Sequence, residues 1–396
     1  MKITSVEIFL LDGGRPTWRP VVCRVNTDEG ISGYGEAALG FDNGAWGAVG
    51  MLREIAPMVI GMDAMAHEVV WDHTFHDSFW GQGGGMAVMS AVSAIDMALW
   101  DIKGKALGMS VSRLLGGRMH SRLRAYASQL QFGWGTAGMV FDRGFRPEDL
   151  AAHAAAAVSE GFDAVKINFI TYGADGKRLG FLRGPIPLEL QHMIEKRIAA
   201  VRDAVGPDVD LMLENHGRTD AVSAVQLAHI AAPYRIMFME EPNTPLLVQN
   251  GEKIHRESSI PVASGERMYG RMNFLSFFRR NAIQVAQPDI GIAGGFTETK
   301  KICDLAYTFD VTVQPHCCGS PIAIAAAMQL EAAIPNFAIH EHHVTNRSMA
   351  NISLCKYDYQ PVSGWCDVPD LPGLGQELSE KAQREALAHI TITESC

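Results

Sequence analysis

Acidic and histidine residues recur at the ends of short β-rich runs in the second half of this chain, and this pattern constrains the fold most strongly. Successive members lie 23 to 27 residues apart, and they are Glu214, Glu240, Glu266, Asp289, His316 and Glu341. Each interval is about the length of one strand plus one helix. The series therefore predicts that these side chains stand at the same end of consecutive parallel strands and converge on one site.

Eight β-rich runs alternate with helical stretches from about residue 122 onward. The runs cover residues 124–129, 163–169, 209–215, 235–240, 261–266, 282–289, 310–316 and 336–341. Apolar residues have helical spacing between most of them, as in 147–160, 187–204 and 219–231. This alternation predicts an α/β fold with a closed (β/α) barrel. An open doubly wound sheet is disfavoured, because no glycine-rich dinucleotide motif follows the first strand.

The residues before this alternation begin with strands and continue with helices. β-rich runs at 2–10, 20–26 and 31–36 precede helical patterns at 43–60 and 86–108. Such segregation predicts a small α+β domain. The tail, 350–396, is expected to return to that domain.

Composition limits the partners of this chain. Its 396 residues include 34 Lys and Arg against 44 Asp and Glu, which gives a net charge of −10. A net-acidic surface argues against nucleic acids and anionic membranes, and it is compatible with a small anionic substrate in a basic pocket. The seven cysteines include no CxxC pair, and the N-terminus lacks the pattern of a signal peptide. We therefore expect reduced thiols and a cytoplasmic location.

Three of the acids are predicted to bind a metal ion. Glu214, Glu240 and Glu266 follow three consecutive strands, so their carboxylates should converge. Converging carboxylates repel one another unless a cation lies among them, and an all-oxygen ligand set favours Mg²⁺. Any one of them alone could instead cap the next helix.

Asp289 and His316 are predicted to act as a pair. A carboxylate on the neighbouring strand fixes the tautomer of the imidazole and raises its basicity, as a general base requires. Lys166 lies inside an apolar strand run, where a charge is costly without a counter-charge. The nearby acids would supply that counter-charge, either in an active site or in a structural salt bridge.

Two further segments carry weaker signals. Glu341 lies in the run HEHH at 340–343, and alternate residues of a strand point to opposite faces. Only Glu341 therefore needs to face the site, and the histidines are interpreted as a rim or an interface. Trp80 begins the glycine-rich run 80–85, which is interpreted as a flexible lid over the barrel.

Motifs along nearly the whole chain resemble those of the enolase superfamily, and most of all the D-galactonate dehydratase branch of its mandelate racemase-like subgroup. They are SAIDMALWDIKGKALG (93–108), LLGG (114–117), VKIN (165–168), ENHGR (214–218), MEEP (239–242), ASGERMYGR (263–271), QPDIGIAGGFTE (287–298) and QPHCCGSPIAIAA (314–326). The resemblance implies a modified TIM barrel, (β/α)7β, at 122–349 and an N-terminal α+β capping domain at 1–121. It also implies that the C-terminal segment 350–396 completes the capping domain, and that the protein is a homo-oligomer, from dimer to octamer.

The resemblance further implies a role for each polar residue of the series. Glu214, Glu240 and Glu266 correspond to the Mg²⁺ ligands of the family. His316, together with Asp289, corresponds to the general base that removes the proton α to the substrate carboxylate.

Other positions correspond to residues that surround the substrate in the family. Glu341 corresponds to the acid that hydrogen-bonds the enediolate oxygen, and Lys166 to the cation beside the carboxylate. His216 corresponds to the general acid that protonates the departing 3-hydroxyl. The expected substrate-binding residues are Asn168, Trp80 and Arg267.

Three features depart from family patterns. Asn168 stands where a Lys-x-Lys motif has its second lysine, which disfavours a two-base racemase of the mandelate type and agrees with the galactonate dehydratase branch. Glu214 stands where that branch usually has Asp, and its extra methylene extends the carboxylate by about 1.5 Å. Segment 131–146 is longer than the corresponding loop, so the identity of the substrate does not transfer from the branch.

The resulting hypothesis is a Mg²⁺-dependent dehydratase of a sugar acid, galactonate or a related aldonate, that forms a 2-keto-3-deoxy acid. With His216 and His316 on opposite sides of the substrate, elimination would be anti. The alternative within the same class is an epimerase or cycloisomerase that uses the same enediolate. A catalytically inactive sugar-acid binding protein is disfavoured by the complete set of acid, base and metal residues, and an NAD(P)-linked reductase by the carboxylate cluster.

Overall fold

The computed structural model describes residues 1–134 and 143–394. Its first domain has three strands followed by four helices: β1 (Ile3–Leu10), β2 (Val21–Thr27), β3 (Ser32–Ala37), α1 (Ala45–Val59), α2 (His67–His76), α3 (Met86–Leu107) and α4 (Val111–Leu114). Strands and helices are therefore segregated, as the sequence predicts. Residues 135–142, within the segment expected to be longer than its family counterpart, lie outside the described residues.

Strands and helices alternate through the second domain. Its strands are β4 (Arg122–Ser128), β5 (Ala164–Ile167), β6 (Asp210–Glu214), β7 (Ile236–Glu240), β8 (Val262–Ser264), β9 (Val285–Ala286), β10 (Thr312–Val313) and β11 (His340–His343). Its helices are α5 (Pro147–Ser159), α6 (Leu188–Val205), α7 (Ala221–Ala231), α8 (Val248–Glu257), α9 (Gly270–Arg279), α10 (Ile290–Ala293), α11 (Gly295–Thr308) and α12 (Pro321–Glu331). The expected (β/α)7β order is confirmed.

The eight strands form a ring. Neighbouring strands pair in parallel from β4 to β10, and β11 pairs in parallel with β4. A bridge between Val313 and Phe337 links β10 to the segment that leads into β11. Because β6 is the third strand of eight and β10 is the seventh, their C-terminal ends lie on opposite sides of the ring.

Apolar side chains cover the strands of the ring on both faces, as in other parallel barrels. Leu211 and Leu213 of β6 belong to the core that includes Ile198 of α6. Met212, between them, points to the opposite face and belongs to a separate cluster with Phe238 of β7. Because both faces of each strand are buried, the strands appear in the sequence as short apolar runs, and polar residues are conspicuous where the strands end.

The C-terminal part of the chain contacts both domains. It contains α13 (Met349–Ile352), β12 (Trp365–Asp367), α14 (Glu380–Arg384) and β13 (Ala388–Thr393). β13 pairs antiparallel with β1, so the first sheet has the order β13-β1-β2-β3 and is completed by the tail, as expected. β12 pairs antiparallel with β4, so another part of this segment lies against the barrel.

Two further properties follow from the described residues. None of their helices is both long and apolar enough to cross a bilayer. The cysteines among them are free thiols, and all but the half-buried Cys318 are buried.

Candidate active site

Three glutamates stand at consecutive strand ends of the ring. Glu214 and Glu240 are the last residues of β6 and β7, and they lie opposite each other in the register of the two strands. Glu266 lies two residues beyond the end of β8. Glu214 and Glu240 are buried, and the side chain of Glu266 is 11% exposed. The strand ends therefore bring these acids to one side of the barrel.

Lys166 is fully buried among carboxylates. Its Nζ lies 2.5 Å from Glu240 Oε2, 3.0 Å from Glu341 Oε1 and 3.3 Å from Glu214 Oε2. Burial alone lowers the pKa of a lysine. The surrounding carboxylates, Glu240 first, outweigh that effect and hold the pKa of Lys166 well above its ordinary value. The side chain is therefore protonated in this arrangement of the site.

Potential cation ligands converge beside this lysine. One ligand atom each of Glu214, His216 and Glu266 lie within 4.8 Å of one another. Glu240 Oε1 is buried with no hydrogen-bond partner among the described residues, and its Oε2 accepts from Gln287 Nε2 at 2.6 Å as well as from the lysine. Burial first, and then the charge of Glu214, raises the pKa of Glu240 to about 8.

The closely spaced donors differ in one member from the expected set. Glu240 is turned toward Lys166, and His216 takes its place beside Glu214 and Glu266. Crowded, buried carboxylates, one of which has an oxygen without a partner among the described residues, are what a hard divalent cation would compensate. The residues present therefore fit such an ion.

His316 forms a hydrogen bond with Asp289. His316 Nδ1 lies 2.7 Å from Asp289 Oδ2, and Asp289 Oδ1 accepts from the backbone N–H of Gly291 at 2.7 Å. His316 Nε2 lies 3.5 Å from Glu266 Oε2, so this atom faces the acids. Burial lowers the pKa of His316, but the charge of Glu266 and the bond to Asp289 raise it to about 10.

His216 lies across the ring from His316. Its φ of +50° is left-handed, and its backbone N–H donates to Glu214 Oε1 at 2.7 Å. Its Nδ1 lies 3.2 Å from Asn168 Nδ2, and its Nε2 lies 3.4 Å from Gln129 Nε2. Burial lowers the pKa of His216 to about 4, so its imidazole is neutral at pH 7 in this state.

Glu341 accepts three polar contacts. Ser128 Oγ donates at 2.6 Å, the backbone N–H of Cys317 donates at 3.0 Å, and Lys166 Nζ lies 3.0 Å away. Burial raises the pKa of this carboxyl, but Lys166 and then His316 hold it well below its ordinary value. Glu341 is therefore ionised here and must gain a proton before it can donate to an enediolate oxygen.

Arg267 lies at the mouth of the site. Its guanidinium contacts Glu241, and it lies 2.6 Å from Glu266 Oε1. Its side chain is 38% exposed, so it can also reach solvent or a ligand. Arg267 thus joins the residue after Glu240 to the acid that follows β8.

The other two expected substrate-binding residues lie in different environments. Asn168 is buried beside His216. Trp80 is 77% exposed and lies against the ring of Phe79, and the described hydrogen bonds and ion pairs do not connect it with the carboxylates. The glycine-rich run next to Trp80 does reach the barrel, because a Cβ at Gly84 would lie 2.4 Å from the ring of Tyr269.

Sequence reasoning missed three glutamines, and it assigned His343 to a rim or an interface. Gln129, Gln287 and Gln314 directly follow β4, β9 and β10, and Gln287 Nε2 donates to Gln314 Oε1 at 2.5 Å. Their position after a strand was the signal that could have found them. His343 shares a strand face with Glu341, because it lies two residues further on. The period of two could have placed His343 on the same face as Glu341.

Comparisons with known families match both domains. The N-terminal domain of the mandelate racemase / muconate lactonizing enzyme family matches residues 13–116. The enolase C-terminal domain-like family matches residues 149–382.

Individual proteins are similar over nearly the whole chain. A D-galactonate dehydratase of Variovorax paradoxus (strain S110) is 32% identical over 386 residues, which cover 96% of this chain and 93% of that protein. The crystal structure of an enolase superfamily member from Salmonella Typhimurium has a TM-score of 0.96 and 44% identity, covering 99% of this chain and 100% of that one. The 3,6-anhydro-D-galactonate cycloisomerase from Zobellia galactanivorans has a TM-score of 0.82 and 29% identity, covering 98% and 99%.

Proposed function

The chain belongs to the mandelate racemase / muconate lactonizing enzyme family of the enolase superfamily, and we propose that it is a dehydratase of a sugar acid. The proposed substrate is galactonate or a related aldonate, which loses the proton α to its carboxylate and then its 3-hydroxyl. The enol product tautomerises to a 2-keto-3-deoxy acid. The observation that carries the proposal is the placement of His216 and His316 on opposite sides of one buried cluster of acids.

Mg²⁺ is the proposed cofactor, with Glu214, Glu240 and Glu266 as its carboxylate ligands. When bound, it supplies positive charge against the negative charge that develops on the substrate carboxylate. The buried Oε1 of Glu240, which has no hydrogen-bond partner in the part of the chain that the structure describes, and the close spacing of donors on Glu214 and Glu266 support this assignment.

His316 is the proposed general base. Asp289 holds Nδ1 at 2.7 Å, which leaves Nε2 facing the site to accept the α-proton. Removal of that proton builds a second negative charge on the carboxyl group. Lys166, a cation in the same cluster, stabilises that charge as the enediolate forms.

The proton on His316 depends on the charge of the acids around it. Burial lowers the pKa of this imidazole, and the charge of Glu266 is the largest effect that raises it to about 10. Positive charge placed among the carboxylates weakens that effect and lowers the pKa. Compensation of the acids therefore favours the neutral form of His316, which can accept a proton.

His216 is the proposed donor to the departing 3-hydroxyl. Because burial lowers its pKa to about 4, His216 must first gain a proton from solvent; the imidazolium would then pass that proton to the leaving oxygen and return to the neutral form. Because His216 follows the third strand of the ring and His316 follows the seventh, they approach a substrate from opposite sides. We therefore propose anti elimination.

The test is NMR of the reaction in D₂O with Mg²⁺ and a library of monoacid and diacid sugars. His216→Asn should slow loss of water by about 10²–10⁴-fold, while His316 still exchanges the α-proton for deuterium. His229→Asn, at an exposed histidine whose Nε2 contacts the backbone of Glu257 at 2.9 Å, is the matched control and should behave as wild type. If no sugar acid in the library gives a 2-keto-3-deoxy product, the dehydratase proposal is wrong.

An epimerase or cycloisomerase is the second candidate. The observation that favours it is that both His216 and His316 lie next to Glu266, on opposite sides of the ring, so that one could remove the α-proton and the other could return a proton to the opposite face. Such an enzyme would invert C2 or rearrange the substrate without loss of water. In that case His216→Asn and His316→Asn should each stop the conversion, and the same spectra would show it.

A further inference from the structure

The end of β3, in the capping domain, contacts two barrel loops at once. One loop follows β9 and carries Asp289, and the other follows β10 and carries His316. Glu36 and Ala38 are the capping-domain residues that make these contacts. Glu36 is only 1% exposed. None of the roles assigned above involves this buried carboxylate.

Glu36 holds the loop that carries His316. Its two carboxylate oxygens accept from the backbone N–H of Ser320 at 3.1 Å each, and Oε2 also accepts from Ser320 Oγ at 2.5 Å. Ser320 is the N-cap of α12, four residues after His316. The loop is thus fixed at Ser320 by Glu36, and at Cys317 by the bond to Glu341.

Ala38 holds the loop that carries Asp289. Its backbone N–H donates to Gly291 O at 3.1 Å, and the N–H of Gly291 donates to Asp289 Oδ1. A Cβ at Gly291 would lie 2.6 Å from the Cβ of Ala38, so this approach leaves no room for a side chain. One strand end therefore fixes both members of the Asp289–His316 pair.

We propose that Glu36 is a positioning residue: through Ser320 it holds the His316 loop where His316 Nδ1 bonds to Asp289. The proposal rests on the proposed role of His316 as the base only for its effect on the rate. Its structural part concerns the bond between His316 and Asp289, which is observable without turnover. A misplacement of about 1 Å typically costs about 10²-fold in rate, so the effect should be measurable.

Asp96 provides a matched control at the same domain interface. It is a buried carboxylate of α3 that accepts from the backbone N–H of Thr297 at 3.0 Å and from Thr297 Oγ at 2.5 Å. It therefore makes the same kind of bond to the first turn of a barrel helix as Glu36 does. Thr297 lies in α11, outside the loops that carry Asp289 and His316.

The experiment compares Glu36→Ala, Glu36→Gln, Ser320→Ala and Asp96→Ala in full-length, Mg²⁺-loaded protein labelled with ¹⁵N-histidine. The first readout is the imidazole N–H signal of His316 bonded to Asp289, assigned by its loss in His316→Asn. The second is the rate of α-proton exchange in D₂O, together with KM. The first readout needs no substrate, so it separates failure of this proposal from failure of the proposed function.

Glu36→Ala should broaden or remove the N–H signal and slow exchange by about 10–10²-fold, with KM little changed. Glu36→Gln should retain most of the N–H signal and most of the exchange rate, because the glutamine amide can accept from the N–H of Ser320 and donate to Ser320 Oγ. Ser320→Ala should give an intermediate loss, and it keeps the test open if Glu36→Ala does not fold. An unchanged signal in both Glu36→Ala and Ser320→Ala, or an equal loss in Asp96→Ala, would overturn the proposal.

Discussion

Replacing Lys166 with methionine tests whether this lysine holds the carboxylate cluster together. Methionine keeps an unbranched apolar chain and removes the charge. Glu214, Glu240 and Glu341 would then be buried without their shared cation. We expect the metal-free variant to be destabilised, and we expect Mg²⁺ to recover part of the loss because it replaces part of the missing positive charge.

The distances set the magnitude of the effect. With an effective dielectric constant of about 20, Coulomb's law gives roughly 5–7 kcal/mol for each contact in which the carboxylate is ionised, at 2.5, 3.0 and 3.3 Å. Desolvation of the buried ions cancels several kcal/mol for each ion. Removing one partner of a buried ion pair typically costs about 3–5 kcal/mol, and this is the expected loss in free energy of unfolding.

The assay is urea denaturation followed by tryptophan fluorescence, once in EDTA and once in excess Mg²⁺. Lys105→Met is the matched control, because Lys105 Nζ lies 2.8 Å from the buried Asp101 and 3.3 Å from Glu377 in a cluster outside the site. Lys105→Met should lose the same free energy of unfolding in EDTA as in Mg²⁺. Lys166→Met should lose clearly more in EDTA than in Mg²⁺.

Lower pH should also stabilise Lys166→Met. The pKa of Glu240 is already raised from 4.5 to about 8 in the folded protein, chiefly by burial, and loss of the lysine raises it further. A raised folded-state pKa contributes stability that is fully present below about pH 4.5 and is lost as the pH rises through the folded value. Wild-type stability for Lys166→Met in EDTA at pH 8, or equal losses in EDTA and Mg²⁺, would refute this reasoning.

Three further predictions concern the metal and the base. Chelation should abolish turnover and Mg²⁺ should restore it, while Glu240→Gln should lose Mg²⁺ binding in calorimetry; full activity of metal-free protein would contradict the cation site. His316→Asn should stop α-proton exchange in D₂O, and exchange at the wild-type rate would point to another base, Lys166 first. In EDTA the urea concentration at the unfolding midpoint should decrease as the pH rises from 6.5 to 10, because the folded protein stabilises protonated His316 and its pKa is raised to about 10. The decrease should be smaller in His316→Asn.

Much of the fold and the location of the acids could be predicted because the end of each strand is recognisable in the sequence. Parallel strands buried on both faces leave short apolar runs, and the first polar residue after each run marks the same side of the barrel. Glu214 and Glu240 are strand-final, and Asp289 and His316 each lie three residues after a strand end. Spacing alone could therefore place them together.

Side-chain direction could not be predicted in the same way. Spacing places Glu240 at the mouth, but the bonds that turn its carboxylate depend on Lys166 of β5 and on Gln287, which follows β9. The contact between Glu36 and Ser320 joins residues far apart in the chain, and neither belongs to the acidic series. The exposure of Trp80 depends on how its loop packs, which glycine content does not determine.

β1 is synthesised long before β13, one of its two partner strands. The register joins Ser5 to Thr393 and Leu10 to Ala388, so the whole barrel is synthesised between the two strands. Until β13 is made, β1 is the open edge of a three-stranded sheet, and its unpaired N–H and C=O groups are available to other nascent chains. This domain is thus begun before the barrel and completed only after it, and a deletion that removes Ala388–Thr393 would expose the edge of β1.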